Sequence, residues 1–171
     1  MSQAPRLTAA RTAAGPGRSR GFTLIEMLVV LAMLGVLAAA ARPVLLLSAQ
    51  RSQEFQLREA LRQIRGGIDA YKKAAEAGLI EVSAEDSGYP RELTELTRGV
   101  VDAKSPNGRK LYFLRRLPRD PFADPSLEPE QSWGLRASDS PPTEPREGRD
   151  IFDVYSRSER RALDGSRYRD W

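Results

Sequence analysis

The 171-residue chain has no cysteine and no histidine. Without cysteine there are no disulfides, thiol nucleophiles or thiolate metal sites, and without histidine there is no imidazole for acid–base chemistry or zinc. Aromatic residues make up 7% of the chain. A glycine-rich phosphate loop is also missing, so any work drawn from a nucleotide must come from another protein. The net charge of +4 does not describe a basic body. Residues 1–21 contain Arg6, Arg11, Arg18 and Arg20 and no acid, and these four account for the whole excess. The remainder is balanced, which argues against a nucleic-acid-binding surface.

The stretch that follows is apolar. Residues 22–41 run from Phe22 to Ala41 with one acid, Glu26. As a helix rising ~1.5 Å per residue, this stretch reaches ~30 Å, about the thickness of a bilayer's hydrocarbon core. A carboxylate inside such a run is expensive and calls for a partner. The arginines precede the run, which orients the N-terminus toward the cytoplasm. Gly35 and Pro43 are soft points in the helix, and Pro43 removes one backbone donor. Gly21 lies before the apolar run, so cleavage there would leave the membrane segment on the mature protein.

Beyond the apolar run, Leu57, Leu61, Ile64, Ile68, Tyr71 and Ala75 recur at steps of four and three, making one apolar stripe on a helix. A helix from Phe22 to about Ala77 would measure ~84 Å at ~1.5 Å per residue, with Gly78 as its stop. A second short helix is predicted over 90–98, opened by Pro90 with Leu93 and Leu96 on its apolar face. Residues 105–108 read as a turn, and 111–114 as a strand. Residues 118–146 hold seven prolines and read as irregular loop around a short strand at 132–135. Residues 150–155 alternate and give the best strand, and Tyr168 and Trp171 in the polar tail should pack on the domain.

The expected fold is α+β: a long N-terminal transmembrane and spine helix packed against a small C-terminal domain with a short helix and a small antiparallel sheet. That domain has few large apolar residues and needs the 57–75 stripe as one wall of its core. The expected divisions are a basic leader at 1–21, a membrane and core helix at 22–47, its amphipathic continuation at 48–77 and a globular domain at 78–171. Asp120, Asp124, Asp150 and Asp153 are not brought to any defined separation by the sequence, so no catalytic pair is read and no enzyme is expected.

Gly21-Phe22-Thr23-Leu24-Ile25-Glu26, with the basic leader before it and the apolar helix after it, resembles the class III signal of the type IV pilin superfamily. Gly35 and Pro43 fall where that family carries helix-softening residues. Further along, Gly88-Tyr89-Pro90 with Leu93 and Leu96 resembles the major, G-type pseudopilins of type II secretion. So do the stretch from Tyr112 through Leu117-Pro118-Arg119-Asp120-Pro121-Phe122, and Asp150-Ile151-Phe152 with Ser156 and the terminal Trp171.

The resemblance implies cleavage by a prepilin peptidase after Gly21 and N-methylation of Phe22. It also implies assembly into a helical filament, in which Glu26 meets the amine of a neighbouring Phe22. The implied location is a single-pass protein of the bacterial inner membrane with a periplasmic C-terminal domain. The implied partners are other copies of the chain, other pseudopilins, an inner-membrane assembly platform and its cytoplasmic ATPase. The implied role is in protein export through the outer membrane. A type IV pilin, a competence pseudopilin and a non-polymerising periplasmic adaptor are the alternatives.

The resemblance further implies a calcium loop before the final tryptophan, and here this sequence departs from the family. Glu159 and Asp164, with the carbonyls of Tyr155 and Ser158, are the candidate ligands. Four arginines, Arg157, Arg160, Arg161 and Arg167, surround them, whereas calcium takes about six to eight oxygens, several of them anionic. An arginine-braced loop without metal is the other reading.

Overall fold

The computed structural model describes residues 21–83 and 85–171, so the basic leader other than Gly21 lies outside the described residues. The chain divides into two compact units between Pro43 and Val44. One helix, α1 (Leu24–Glu76), contributes to both and continues through Gly35, Pro43 and the Gly66-Gly67 pair without a break. In the first unit its apolar side chains are exposed all round: Phe22, Leu24, Ile25, Leu28, Leu31, Met33, Val36 and Leu37 all face outward. This part is long and apolar enough to cross a membrane.

In the second unit α1 is the wall of a core. All six stripe residues, Leu57, Leu61, Ile64, Ile68, Tyr71 and Ala75, are buried against Ile80, Leu93, Leu96, Trp133, Ile151, Val154 and Tyr168. The helix ends where the sequence places its stop. Gly78 adopts φ +66°, and the Leu79 N–H reaches the Ala74 carbonyl at 2.9 Å while the Gly78 N–H reaches that of Ala75 at 2.9 Å. This paired closure needs a left-handed residue, which glycine provides without a Cβ clash. Gly67 has a different use. A Cβ there would sit 3.0 Å from the Leu114 side chain, so the bare helix backbone lets the chain at Leu114 come close.

The second helix is shorter than its sequence pattern predicts. Only Glu95–Arg98 is helical (α2). The Glu95 carboxylate folds back to accept the Arg91 and Glu92 N–H groups at 3.1 and 3.2 Å, and the Pro90 carbonyl accepts the Ile151 N–H at 2.8 Å. Residues 90–94 therefore spend their hydrogen bonds on the turn and on the domain rather than on a helix.

The strands form two separate two-stranded antiparallel sheets. β1 (Val100–Val101), which the sequence pattern does not signal, pairs with β2 (Lys110–Leu111). The predicted strand over 111–114 stops at Leu111 because the Phe113 and Leu114 N–H groups both turn to the Leu96 carbonyl, at 3.0 and 2.8 Å. β3 (Trp133–Arg136) pairs with β4 (Asp153–Ser156), with Trp133 opposite Ser156 and Gly134 opposite Tyr155. The first lies one residue beyond its predicted position. The second begins three residues late, because Asp150 and Ile151 are drawn into loop contacts with Ser138 and Pro90.

Replacing Leu96, the fully buried residue of α2, with alanine should cost about 2–5 kcal/mol through lost burial and the cavity left behind. Chemical unfolding of the full chain in detergent, followed by tryptophan fluorescence, measures the loss.

Candidate functional site

At the amino end of α1, Gly21, Phe22 and Thr23 precede the first helical turn. Thr23 caps it: its hydroxyl accepts the Glu26 N–H at 3.2 Å, and its carbonyl accepts the Met27 N–H at 3.2 Å. The cap was not singled out from the sequence, although Thr-x-x-Glu ahead of an apolar run is a readable start signal. Glu26 is thus held through its backbone, in the first turn, where the helix dipole favours an acid. Its side chain is exposed and has no cation or hydrogen-bond donor among the described residues.

Among the described residues, nothing asks for a glycine at position 21. A Cβ there would meet no described atom within 4 Å. Gly35 is equally unconstrained. Phe22, next to the glycine, is 74% exposed. Glycine, phenylalanine, capping threonine and acid therefore sit together at the start of the apolar, exposed part of α1.

The four scattered aspartates are each committed locally. Asp120 is buried; it accepts the Ser156 hydroxyl at 2.6 Å and the Phe122 N–H at 2.8 Å. Asp120 opens a turn, with the Ala123 N–H on its carbonyl at 3.2 Å, and its link to β4 through Ser156 is not signalled by the sequence. Asp124 caps Ser126, with N–H and hydroxyl at 2.9 and 2.8 Å. Asp150 accepts the Ser138 N–H and hydroxyl at 2.9 and 2.7 Å; its partial burial works against the charge, but hydrogen bonds from Ser138 and Ser87 outweigh it and lower its pKa. Asp153 is clamped by Arg65 at 2.7 Å and Arg136 at 3.2 Å. Each carboxylate closes a turn or an ion pair.

The four candidate calcium ligands are not gathered into a cation site. Asp164 turns onto Ser166, accepting its N–H at 2.9 Å and its hydroxyl at 2.6 Å, with Arg58 at 3.7 Å. The hydrogen bonds from Ser166 hold the Asp164 carboxyl below the usual range. Glu159 is exposed, Tyr155 lies in β4 with Arg169 over its ring, and the Ser158 hydroxyl accepts the Arg160 N–H. Asp170 is paired with Arg167 at 3.0 Å. Among the described residues, no three acidic side chains converge as a metal ion would need. The residues present do not fit calcium.

With this geometry in view, similarity to known proteins is specific. Residues 16–41 match the family described as the prokaryotic N-terminal methylation motif, a stretch that contains Gly21, Phe22 and Glu26. Over 89 residues, half of this chain, the sequence is 33% identical to the type IV major alpha-pilin of Moraxella bovis, covering 52% of that protein. These similarities define the class as the type IV pilin superfamily. Within it, the chain is 33% identical over 110 residues to the type II secretion system core protein G of Klebsiella pneumoniae. That alignment covers 61% of this chain and 70% of the relative. It is 29% identical over 109 residues to the same-named protein of Dickeya chrysanthemi, covering 64% of it. The chain belongs to the family of type II secretion system core protein G. No solved structure matches it.

Asp120→Ala removes a buried acceptor and strands the Ser156 hydroxyl and the Phe122 N–H. Equilibrium unfolding should register a loss of about 3 kcal/mol, and Asp120→Asn, which keeps one acceptor, a smaller one.

Proposed function

We propose that this chain is a pseudopilin subunit that a prepilin peptidase cuts after Gly21 and methylates at Phe22. The mature subunits then assemble into a type II secretion pseudopilus that helps drive protein export through the outer membrane. The chain is anchored in the bacterial inner membrane with its N-terminus cytoplasmic and residues 78–171 periplasmic. Its role is mechanical, with no catalytic site. Other pseudopilins, an inner-membrane platform and a cytoplasmic ATPase are its partners.

The observation that carries this reading is the bare first unit of α1. Its apolar side chains are exposed on every side, and a single acid, with no partner among the described residues, lies in its first turn. Lipid covers the apolar surface of a single subunit. A bundle of the same helices covers it in a filament, where the free amine of a cleaved Phe22 is a cation of the right sign for a neighbour's Glu26. Breaking a buried pair by removing one partner typically costs about 3–5 kcal/mol, because the other charge is left unpaired. Only copies staggered so that the amine reaches the carboxylate avoid that cost. A requirement for glycine at 21 then falls on the peptidase, since no described residue crowds a Cβ at that position.

The similarity to a type IV major alpha-pilin favours a second reading, in which the filament is a surface pilus. Deleting the gene separates the two: loss of protein export supports a pseudopilus, whereas intact export with loss of surface fibres supports a pilus.

Mass spectrometry of the protein from membranes should find an N-terminal methylated Phe22, and an intact leader or a cut beyond Ala41 would remove the basis for assembly. Glu26→Gln should reduce cross-linked multimers at least tenfold at equal subunit levels, while leaving membrane insertion unchanged.

A further inference from the structure

The C-terminal loop that departs from its family's calcium pattern is closed by a different device. Glu54, on the spine helix, is 7% exposed although it carries an ionisable group. Its Oε1 accepts the Leu163 backbone N–H at 2.9 Å, the Tyr168 hydroxyl at 3.0 Å and the Gln50 side-chain amide at 3.2 Å. Gln50 also donates to the Tyr168 hydroxyl at 3.0 Å and to the Arg161 carbonyl at 3.3 Å. One carboxylate and one amide on adjacent turns of α1 therefore hold three points of the loop, more than 100 residues away in sequence.

The rest of the loop is braced by its own side chains. The Arg161 guanidinium donates to the Gly165 carbonyl at 2.9 Å, so the oxygen a cation would seek already has a positive group upon it. The Ala162 N–H reaches the Ser166 carbonyl at 2.8 Å, closing the small turn around Gly165, whose φ is +88°. Tyr168 stacks on Phe122 with ring centres 4.0 Å apart, and Arg160 lies 5.1 Å from the centre of the Phe122 ring. The Trp171 indole N–H donates to the Ser166 hydroxyl at 2.7 Å, and Arg58 lies over the Trp171 ring at 4.2 Å. Burial raises the Tyr168 phenol pKa; donation from Gln50 lowers it and the Glu54 carboxylate raises it again.

We propose that this chain closes its C-terminal loop without a metal ion, with Glu54 of α1 as the anchoring acceptor that holds Leu163 and Tyr168 in place. A hard cation organises a loop by collecting carbonyl and carboxylate oxygens at one point. Here the oxygens are collected by N–H and O–H donors, and Glu54 supplies the negative charge from outside the loop. Arginines at 157, 160, 161, 167 and 169 would repel a divalent cation. The order of the loop then depends on the spine helix and not on the calcium level around it. This inference does not rest on export or filament growth, and its test needs neither.

Hydrogen exchange of the full chain in detergent, read by mass spectrometry over residues 157–169, tests the proposal. Exchange in the parent should be the same with millimolar calcium and with a chelator. Glu54→Ala should speed exchange around Leu163 about tenfold, because the opening free energy falls by the worth of a hydrogen bond to a charged group. Added calcium should not restore it. Tyr168→Phe keeps the ring stack and removes only the hydroxyl, so a rise of about threefold is expected, and it carries the same test if Glu54→Ala does not fold. Calcium-dependent protection of the parent would overturn the proposal, as would parent-like exchange in both variants.

Discussion

An acid in the first turn of a helix whose opening stretch is otherwise apolar sets the terms for this molecule. Glu26 sits among side chains that favour hydrocarbon, and no described group in its own chain neutralises it. A charge placed in hydrocarbon is tolerated when it is paired. The sequence supplies the means a few residues upstream. A cut after Gly21 would create an amine on Phe22, one helical turn from the acid but free to meet the acid of another copy. Thr23 reinforces the arrangement by capping the helix, which fixes where the first turn begins and hence where the carboxylate stands.

The same helix has a second task in the other unit. Its stripe of Leu57, Leu61, Ile64, Ile68 and Tyr71 is the wall on which two small hairpins, a four-residue helix and a proline-rich loop are built. Those elements share little regular hydrogen bonding. Polar clamps from α1 hold them instead: Arg65 to Asp153 and to the Val154 and Trp171 carbonyls, Glu54 to the last loop, and the Tyr71 hydroxyl to Glu95. A domain so dependent on its spine gains order from packing against the helix more than from its own sheets.

Much of this was legible in the residues, for identifiable reasons. The apolar run, the stripe and the Gly78 stop are local patterns with one dominant period, and α1 follows them closely. Tyr168 and Trp171 pack as a polar chain ending in large aromatics suggests they should. What was hidden depends on distant partners. The helix predicted at 90–98 shrank because Glu95 and Ile151 took its hydrogen bonds, and the strand at 111–114 shortened because Leu96 offered a carbonyl outside the ladder. Glu54 carries no local signal in the sequence, and only the return of residues 161–168 to its face of the helix gives it a role.

The central claim is that Glu26 is compensated by the amino group of a neighbouring subunit. A structure of the assembled filament, resolved well enough to place side chains, tests it most directly. The account predicts the Glu26 carboxylate within about 4 Å of the Phe22 nitrogen of an adjacent copy, inside an apolar helical core. A filament in which that carboxylate faces water, or pairs only within its own chain, would contradict it.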